Sequence, residues 1–187
     1  MRIITGSARG CRLKTPKGMS TRPTSDRIKE SLFNILGNRV YGCRVLDLFA
    51  GTGNLGLEAL SRGAAEAVLI DKATAPLIRE NAVHTKLQEH AEIRAGDVTA
   101  ELGRLVRGGR QFDLIFCDPP YRKGLWEQAL PIIDRTELLA PGGILIVEQG
   151  GDENVIPELQ TLNNVMTRTY GRTTQLRFYE HSGEGEP

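Results

Sequence analysis

Cysteine is scarce in this chain. Its 187 residues include three, Cys11, Cys43 and Cys117. They lie far apart and without metal-ligand spacing, which leaves no zinc motif and no disulfide framework to read. An odd, sparse set fits a reducing, cytoplasmic setting, with all three thiols as small apolar fillers. Long apolar runs are missing too: none approaches the roughly 18 residues of a membrane span. The start, Met1-Arg2-Ile3-Ile4-Thr5-Gly6, lacks the shape of a signal peptide. His84, His90 and His181 are scattered, so no metal is expected. No internal repeat or low-complexity segment is present.

Net charge is nearly absent, at +1, but its distribution is uneven. Residues 1–40 carry nine basic residues against Asp26 and Glu30, a local charge of +7; the rest of the chain carries 15 against 21, or −6. A charge run is ordinarily a solvated face. A basic segment on a mildly acidic body also suits a bound polyanion. The expected nucleic-acid contacts are Arg9, Arg12, Lys14, Lys17, Arg22, Arg27 and Lys29.

A composition of 40% hydrophobic and 25% charged residues is that of an ordinary soluble globular chain. The length predicts one domain with a small extension. Residues 1–40 read as a basic β-hairpin, turning at 6–10, followed by a helix capped by Thr24 or Ser25 and running to Leu36. Residues 41–181 form the main domain, and 182–187 a frayed tail. From Arg44 the rhythm is strand then helix. Strands are expected at 45–48, 67–70, 91–95, 112–117 and 144–147, and helices at 55–62, 74–87, 98–107 and 124–134. Residues 163–170 and 174–180 read as a closing antiparallel hairpin. The fold class is therefore α/β: a Rossmann-like, mostly parallel, doubly wound sheet.

Chemistry concentrates at Cys117-Asp118-Pro119-Pro120-Tyr121. The strand ending at Cys117 places Asp118 at a strand's carboxyl end, where open α/β sheets gather their ligands. Two consecutive prolines fix φ and remove two N–H groups, leaving carbonyls free to accept. A carboxylate, stiff carbonyls and an aromatic ring within four residues form a receptor for a planar group bearing an NH2. The competing view is a strand-ending turn with a solvated Asp and a surface Tyr.

Upstream, Asp47-Leu48-Phe49-Ala50-Gly51-Thr52-Gly53-Asn54-Leu55-Gly56 joins the first strand to a helix. Gly51, Gly53 and Gly56 spell G-x-G-x-x-G with Asp71 some 20 residues on, the dinucleotide fingerprint. Asp47 ahead of the glycines would repel a pyrophosphate, and a dinucleotide leaves Asp118 to Tyr121 without a role. S-adenosylmethionine fits better. Asp47 suits its methionine end, Asp71 its ribose hydroxyls and Asp97 its adenine amine. Phe49, Ala50, Gly51, Gly53, Asn54, Lys72 and Val98 complete the expected pocket. Each aspartate alone is more often a cap or turn former; Asp47, Asp71, Asp97 and Asp118 all fall at strand ends.

Residues 47–53 followed by Asp118-Pro119-Pro120-Tyr121 resemble the class I S-adenosylmethionine-dependent methyltransferases that act on exocyclic amines of bases. Met1 to Gly6, Arg22-Pro23-Thr24-Ser25-Asp26-Arg27, Leu32 to Leu36, Val45 to Gly53 and Leu57 to Ala64 narrow the match. Together they resemble the RsmD family of bacterial 16S ribosomal RNA guanine-N2 methyltransferases, over residues 1 to about 180. The resemblance implies transfer of a methyl group from S-adenosylmethionine to guanine N2, leaving S-adenosylhomocysteine. The partner would be 16S rRNA or the small ribosomal subunit, and a monomer is expected. Asp118 and the Pro119 carbonyl would hold the amine, Pro120 would stiffen the turn and Tyr121 would stack on the base. Competing readings are another amine acceptor (adenine N6 in DNA or RNA, or a protein glutamine, whose enzymes carry Asn where Asp118 stands) and a non-catalytic RNA-binding assembly factor.

Overall fold

The computed structural model describes residues 1–16, 26–120, 124–150, 158–171 and 174–182. Helix α1 spans Asp26–Leu36 and runs into a short 3-10 turn at Gly37–Val40. The β/α alternation follows: β1 Arg44–Leu48, α2 Asn54–Ser61, β2 Glu66–Ile70, α3 Ala75–His84, β3 Ala91–Arg94, α4 Val98–Arg107, β4 Phe112–Cys117 and α5 Leu125–Asp134. Strands β5 Leu139–Gly150, β6 Leu162–Tyr170 and β7 Thr174–His181 complete the chain. The expected helix caps Thr24 and Ser25 and all but Ser182 of the expected tail lie outside the described residues.

The strands form one seven-stranded sheet of order β3-β2-β1-β4-β5-β7-β6. The first five are parallel, and β7 runs antiparallel to both β5 and β6. Strands β1, β2 and β4 are largely apolar, interrupted inside only by Asp47 in β1 and Asp113 in β4, because the sheet is buried on both faces. Leu32, Phe33, Leu57, Leu60 and Ile78 pack on one face and Leu102, Leu105, Trp126, Leu130 and Ile133 on the other. Helices α1 to α3 therefore cover one side, and α4 and α5 the other. Phe33 is 1% exposed, a burial that contributes roughly 2–3 kcal/mol. It packs against Phe116 with ring centroids 5.9 Å apart, and the Arg62 guanidinium caps its ring at 4.5 Å.

Three expectations are corrected. Strand β5 does not begin after Ala140-Pro141-Gly142-Gly143 but runs through it. Leu139 pairs with Phe112 and Ile144 with Leu114, so 140–143 form a large bulge opposite Asp113. Its far end also extends three residues past Val147, to Gly150. Helix α3 stops at His84, before Leu87.

The N-terminal hairpin is a two-stranded ribbon held by one bridge, Arg2 to Arg12. Its backbone bonds run from Ile3 to Cys11, Gly10 to Ile3 and Leu13 to Met1. It lies along α2. Glu58 accepts the Ile4 and Thr5 N–H groups at 2.7 and 3.0 Å. Ser61 Oγ accepts the Ala8 N–H and donates to the Thr5 carbonyl. A Cβ at Gly6 would fall 1.7 Å from the Ser61 carbonyl oxygen, so only glycine allows this approach.

Candidate active site

Chain order reverses between β1 and β4: β1 continues outward to β2 and β3, and β4 outward to β5. A crevice opens at the carboxyl ends of strands flanking such a switch point. Leu48 pairs with Cys117. The glycine loop leaving β1 and the Asp118-Pro119-Pro120 turn leaving β4 therefore start side by side. Asp118 is half-buried, Pro119 buried and Pro120 exposed. Tyr121 lies outside the described residues.

The loop opens on a backbone outlier. Phe49 has φ +60°, a conformation that costs a bulky residue about 1–3 kcal/mol and concentrates at functional sites. Gly51 and Gly53 follow with φ +58° and +80°, completing the turn into α2 at low steric cost. Gly56 has a different task. A Cβ there would meet Leu69 at 2.7 Å and Asp47 Oδ2 at 3.1 Å, so its absence lets α2 press onto the sheet.

Four amides of this stretch are already committed. The Ala50 N–H donates to the Ile70 carbonyl and that of Gly53 to the Ala50 carbonyl. Asp71 Oδ2 accepts the Gly51 N–H at 3.0 Å, and Asp47 Oδ2 that of Gly56 at 2.8 Å. Donors spent internally and carboxylates placed behind them make a poor seat for a pyrophosphate, which needs open N–H groups. The same set suits a ligand with an ammonium, a sulfonium and a diol, so S-adenosylmethionine fits these residues.

The four aspartates are not equivalent. Asp47 is the penultimate residue of β1 and 2% exposed. Burial pushes its carboxyl up to about 7; the Gly56 hydrogen bond opposes the rise and the charge of Asp71 adds to it. Asp71 and Asp118 directly follow β2 and β4. Asp71 also accepts the Ala73 and Thr74 N–H groups at 2.8 and 2.9 Å. Asp97 stands three residues past β3 and caps α4. Its Oδ1 accepts from the Thr99 hydroxyl and from the N–H groups of Thr99 and Ala100, and the Thr99 hydroxyl bond is the main cause holding its carboxyl below its ordinary value. The common role of a strand-end aspartate is thus realised at Asp97.

Among the other expected cofactor residues, Ala50 is buried, Lys72 is exposed near Asp97, and Val98 is buried in the α4/α5 core. The Asn54 side chain is a correction. It accepts from Lys29 Nζ at 2.7 Å and so faces α1.

Lys29 is the second correction. Its side chain is fully buried, where no phosphate can reach it. Desolvation pulls its pKa down, and Glu58 offsets that. Arg9, Arg12 and Arg27 are exposed. Lys14 is exposed and pairs with Glu80 at 3.0 Å, a contact worth about 0–1 kcal/mol. Lys17 and Arg22 lie outside the described residues. Arg9 lies in the ribbon turn docked on Ser61, at the end of α2 remote from the glycine loop.

Sequence reasoning missed Glu58, Asn81 and Thr52, whose polar groups tie the ribbon to α2 and the loop. It also missed Glu148 and Gln149, buried at the end of β5. The register Cys117↔Val147 puts Glu148 level with Asp118, and the polar pair closing the apolar run 144–147 was the available signal. No group of His, Cys, Asp or Glu suited to a metal occurs among the described residues. No described helix is long and apolar enough to cross a membrane.

A family profile described as conserved hypothetical protein 95 matches residues 1–180. Ribosomal RNA small subunit methyltransferase D of Escherichia coli (strain K12) is 34% identical over 191 aligned positions, covering all of this chain and 92% of that protein. The chain belongs to the RsmD family. The Haemophilus influenzae protein of the same name is 36% identical, covering 87% of this chain and 86% of its own length. The solved structure of yhhF from Escherichia coli superposes with a TM-score of 0.84 at 33% identity, covering 98% of this chain and 99% of that one. The fold is the Rossmann-like class I methyltransferase fold, and the RsmD match takes in the ribbon, the glycine loop and Asp118 alike.

Proposed function

We propose that this RsmD-family chain methylates the N2 amine of a guanine in 16S ribosomal RNA. The reading is carried by the register that sets Asp118-Pro119-Pro120 beside the glycine loop at the sheet's switch point. The relatives' names supply the RNA class, and the resemblance supplies guanine N2. Asp47, Asp71, Asp97 and the backbone of the Phe49–Gly53 loop would hold S-adenosylmethionine. When bound, it supplies an electrophilic methyl group on a sulfonium.

An aryl amine delocalises its lone pair into the ring and is a weak nucleophile. Asp118 would accept one N2–H and the Pro119 carbonyl the other, which turns the lone pair out of the base plane. As nitrogen gains positive charge, the Asp118 carboxylate interacts more strongly with it than in the ground state, and that difference lowers the barrier. Asp118 would also accept the surplus N2 proton that methyl transfer leaves and pass it to solvent. Tyr121 would stack on the base for roughly 1–3 kcal/mol. A paired guanine must be extruded to reach such a site. Residues 1–40 would contact RNA through Arg9, Arg12, Lys14, Lys17, Arg22 and Arg27, and residues 41–181 would carry the chemistry. Phosphate contacts of this kind give affinity and placement without base identity.

The test offers labelled S-adenosylmethionine with undermethylated small subunits, naked 16S RNA and duplex DNA, followed by mass spectrometry of nucleosides. N2-methylguanine from ribosomal material is the expected product. N6-methyladenine would move the reading to another amine. Absence of label from every substrate, with the donor still bound, would favour a non-catalytic RNA-binding factor.

A further inference from the structure

The N-terminal ribbon reaches the glycine loop at two points, one on each side of Gly53. On the first side stands Asn81 of α3, fully buried. Its amide pairs with the backbone of Lys14: Oδ1 accepts the N–H at 2.8 Å and Nδ2 donates to the carbonyl at 3.1 Å. Nδ2 also donates to the Thr52 carbonyl at 2.9 Å. The Thr52 hydroxyl in turn donates to the sulfur of Met1 at 3.2 Å.

On the other side stands Lys29. Its ammonium donates to the Arg2 carbonyl at 2.6 Å and to Asn54 Oδ1 at 2.7 Å, and lies 3.0 Å from Glu58 Oε2. An ammonium has three N–H bonds, and three acceptors surround it. Glu58 is equally saturated, by Lys29, by Arg62 and by the Ile4 and Thr5 N–H groups. A fully desolvated, fully satisfied polar network holds one geometry, because any displaced member would be left buried and unpaired.

We infer that Lys29 and Asn81 are positioning residues that fix the glycine loop for the methyl donor, which makes the ribbon part of the cofactor site. The inference rests on the reading that this loop holds S-adenosylmethionine. A turn with two positive-φ glycines loses much conformational freedom when a ligand orders it. Anchors at Thr52 and Asn54 hold that turn before the ligand arrives. Asn54 is also the first residue of α2, so the Lys29 contact fixes where that helix begins.

The test measures binding of S-adenosylhomocysteine to the full chain by calorimetry, with melting temperature recorded for every variant. Lys29→Met and Asn81→Ala are compared with Ser61→Ala, which cuts the ribbon's anchor at the far end of α2. The two loop-side variants are expected to raise Kd at least tenfold. They should raise KM for the donor while leaving KM for RNA unchanged. Ser61→Ala is expected to lower the melting temperature with Kd within twofold of wild type. If Lys29→Met does not fold, Asn81→Ala decides alone. Wild-type Kd in the loop-side variants overturns the inference, as does an equal Kd shift in Ser61→Ala at matched loss of melting temperature. Wild-type protein that fails to bind S-adenosylhomocysteine overturns the cofactor reading and this inference with it. Wild-type binding with unchanged variants sinks this inference alone.

Discussion

Asp71 Oδ2 accepts the Gly51 N–H at 3.0 Å, so one carboxylate joins the turn after β2 to the loop after β1. Its other oxygen holds Ala73 and Thr74 at the entry to α3. The residue expected to meet a ribose is therefore also a brace for the loop. Removing it should cost both functions. Asp71→Ala is expected to raise the Kd for S-adenosylhomocysteine at least tenfold, about 1.4 kcal/mol. Asp71→Asn, which keeps one acceptor oxygen, should lose less. Calorimetry that returns the wild-type Kd for Asp71→Ala would remove Asp71 from the site.

Asp47 gives a pH dependence with a defined sign. Its carboxyl is raised to about 7 in the folded protein from an ordinary value of 3.8. The folded state thus holds this proton where the unfolded chain releases it. The stability it contributes is fully present below about pH 4 and is lost as pH rises through 7, by a few kcal/mol on the order-of-magnitude scale. Denaturant titrations at pH 5 and pH 8 should show a larger drop in wild type than in Asp47→Asn, which keeps an acceptor for the Gly56 N–H. Equal drops would show that Asp47 is ionised throughout.

Asp118→Asn keeps the size of the side chain and removes the charge that responds to the developing cation. Turnover should fall by about 10²–10³, the scale found for single groups that stabilise transition-state charge. Binding of S-adenosylhomocysteine should stay within twofold. Full methylation by Asp118→Asn would sink its catalytic assignment.

Arg9, Arg12 and Arg27 are exposed and serve neither the Lys29 network nor the Asn81 anchor. Reversing all three charges should raise KM for RNA and lower the salt slope of RNA binding by about one unit for each phosphate no longer neutralised. Cofactor Kd should not move. A cofactor shift equal to the RNA shift would make these residues structural.

Much of the fold was legible because its causes are local. Largely apolar runs such as Val45–Leu48 and Phe112–Phe116, each interrupted only by one aspartate, have the length of buried parallel strands, and glycines such as Gly63 mark where helices stop. Asp118 and the glycine loop could be placed at strand ends for the same reason. Lys29 could not be placed by this route. It stands in a charged stretch, with Arg27 and Glu30 exposed, at the start of an amphipathic helix, and its partners, Arg2, Asn54 and Glu58, are 25 or more positions away. Asn81 meets Lys14 across 67 positions. Residue type says that a side chain is charged or can donate, but whether it faces solvent, a ligand or another segment is fixed only when distant elements pack. The sequence by itself therefore determined the strand–helix order, the sheet's class and the residues at the carboxyl ends of its strands. The tertiary structure decided that Asp97 caps a helix, that Asn54 faces Lys29, and that a lysine from the basic segment lies in the interior. Burying a charge is tolerable only where its partners are assembled, and that assembly exists only in the folded chain.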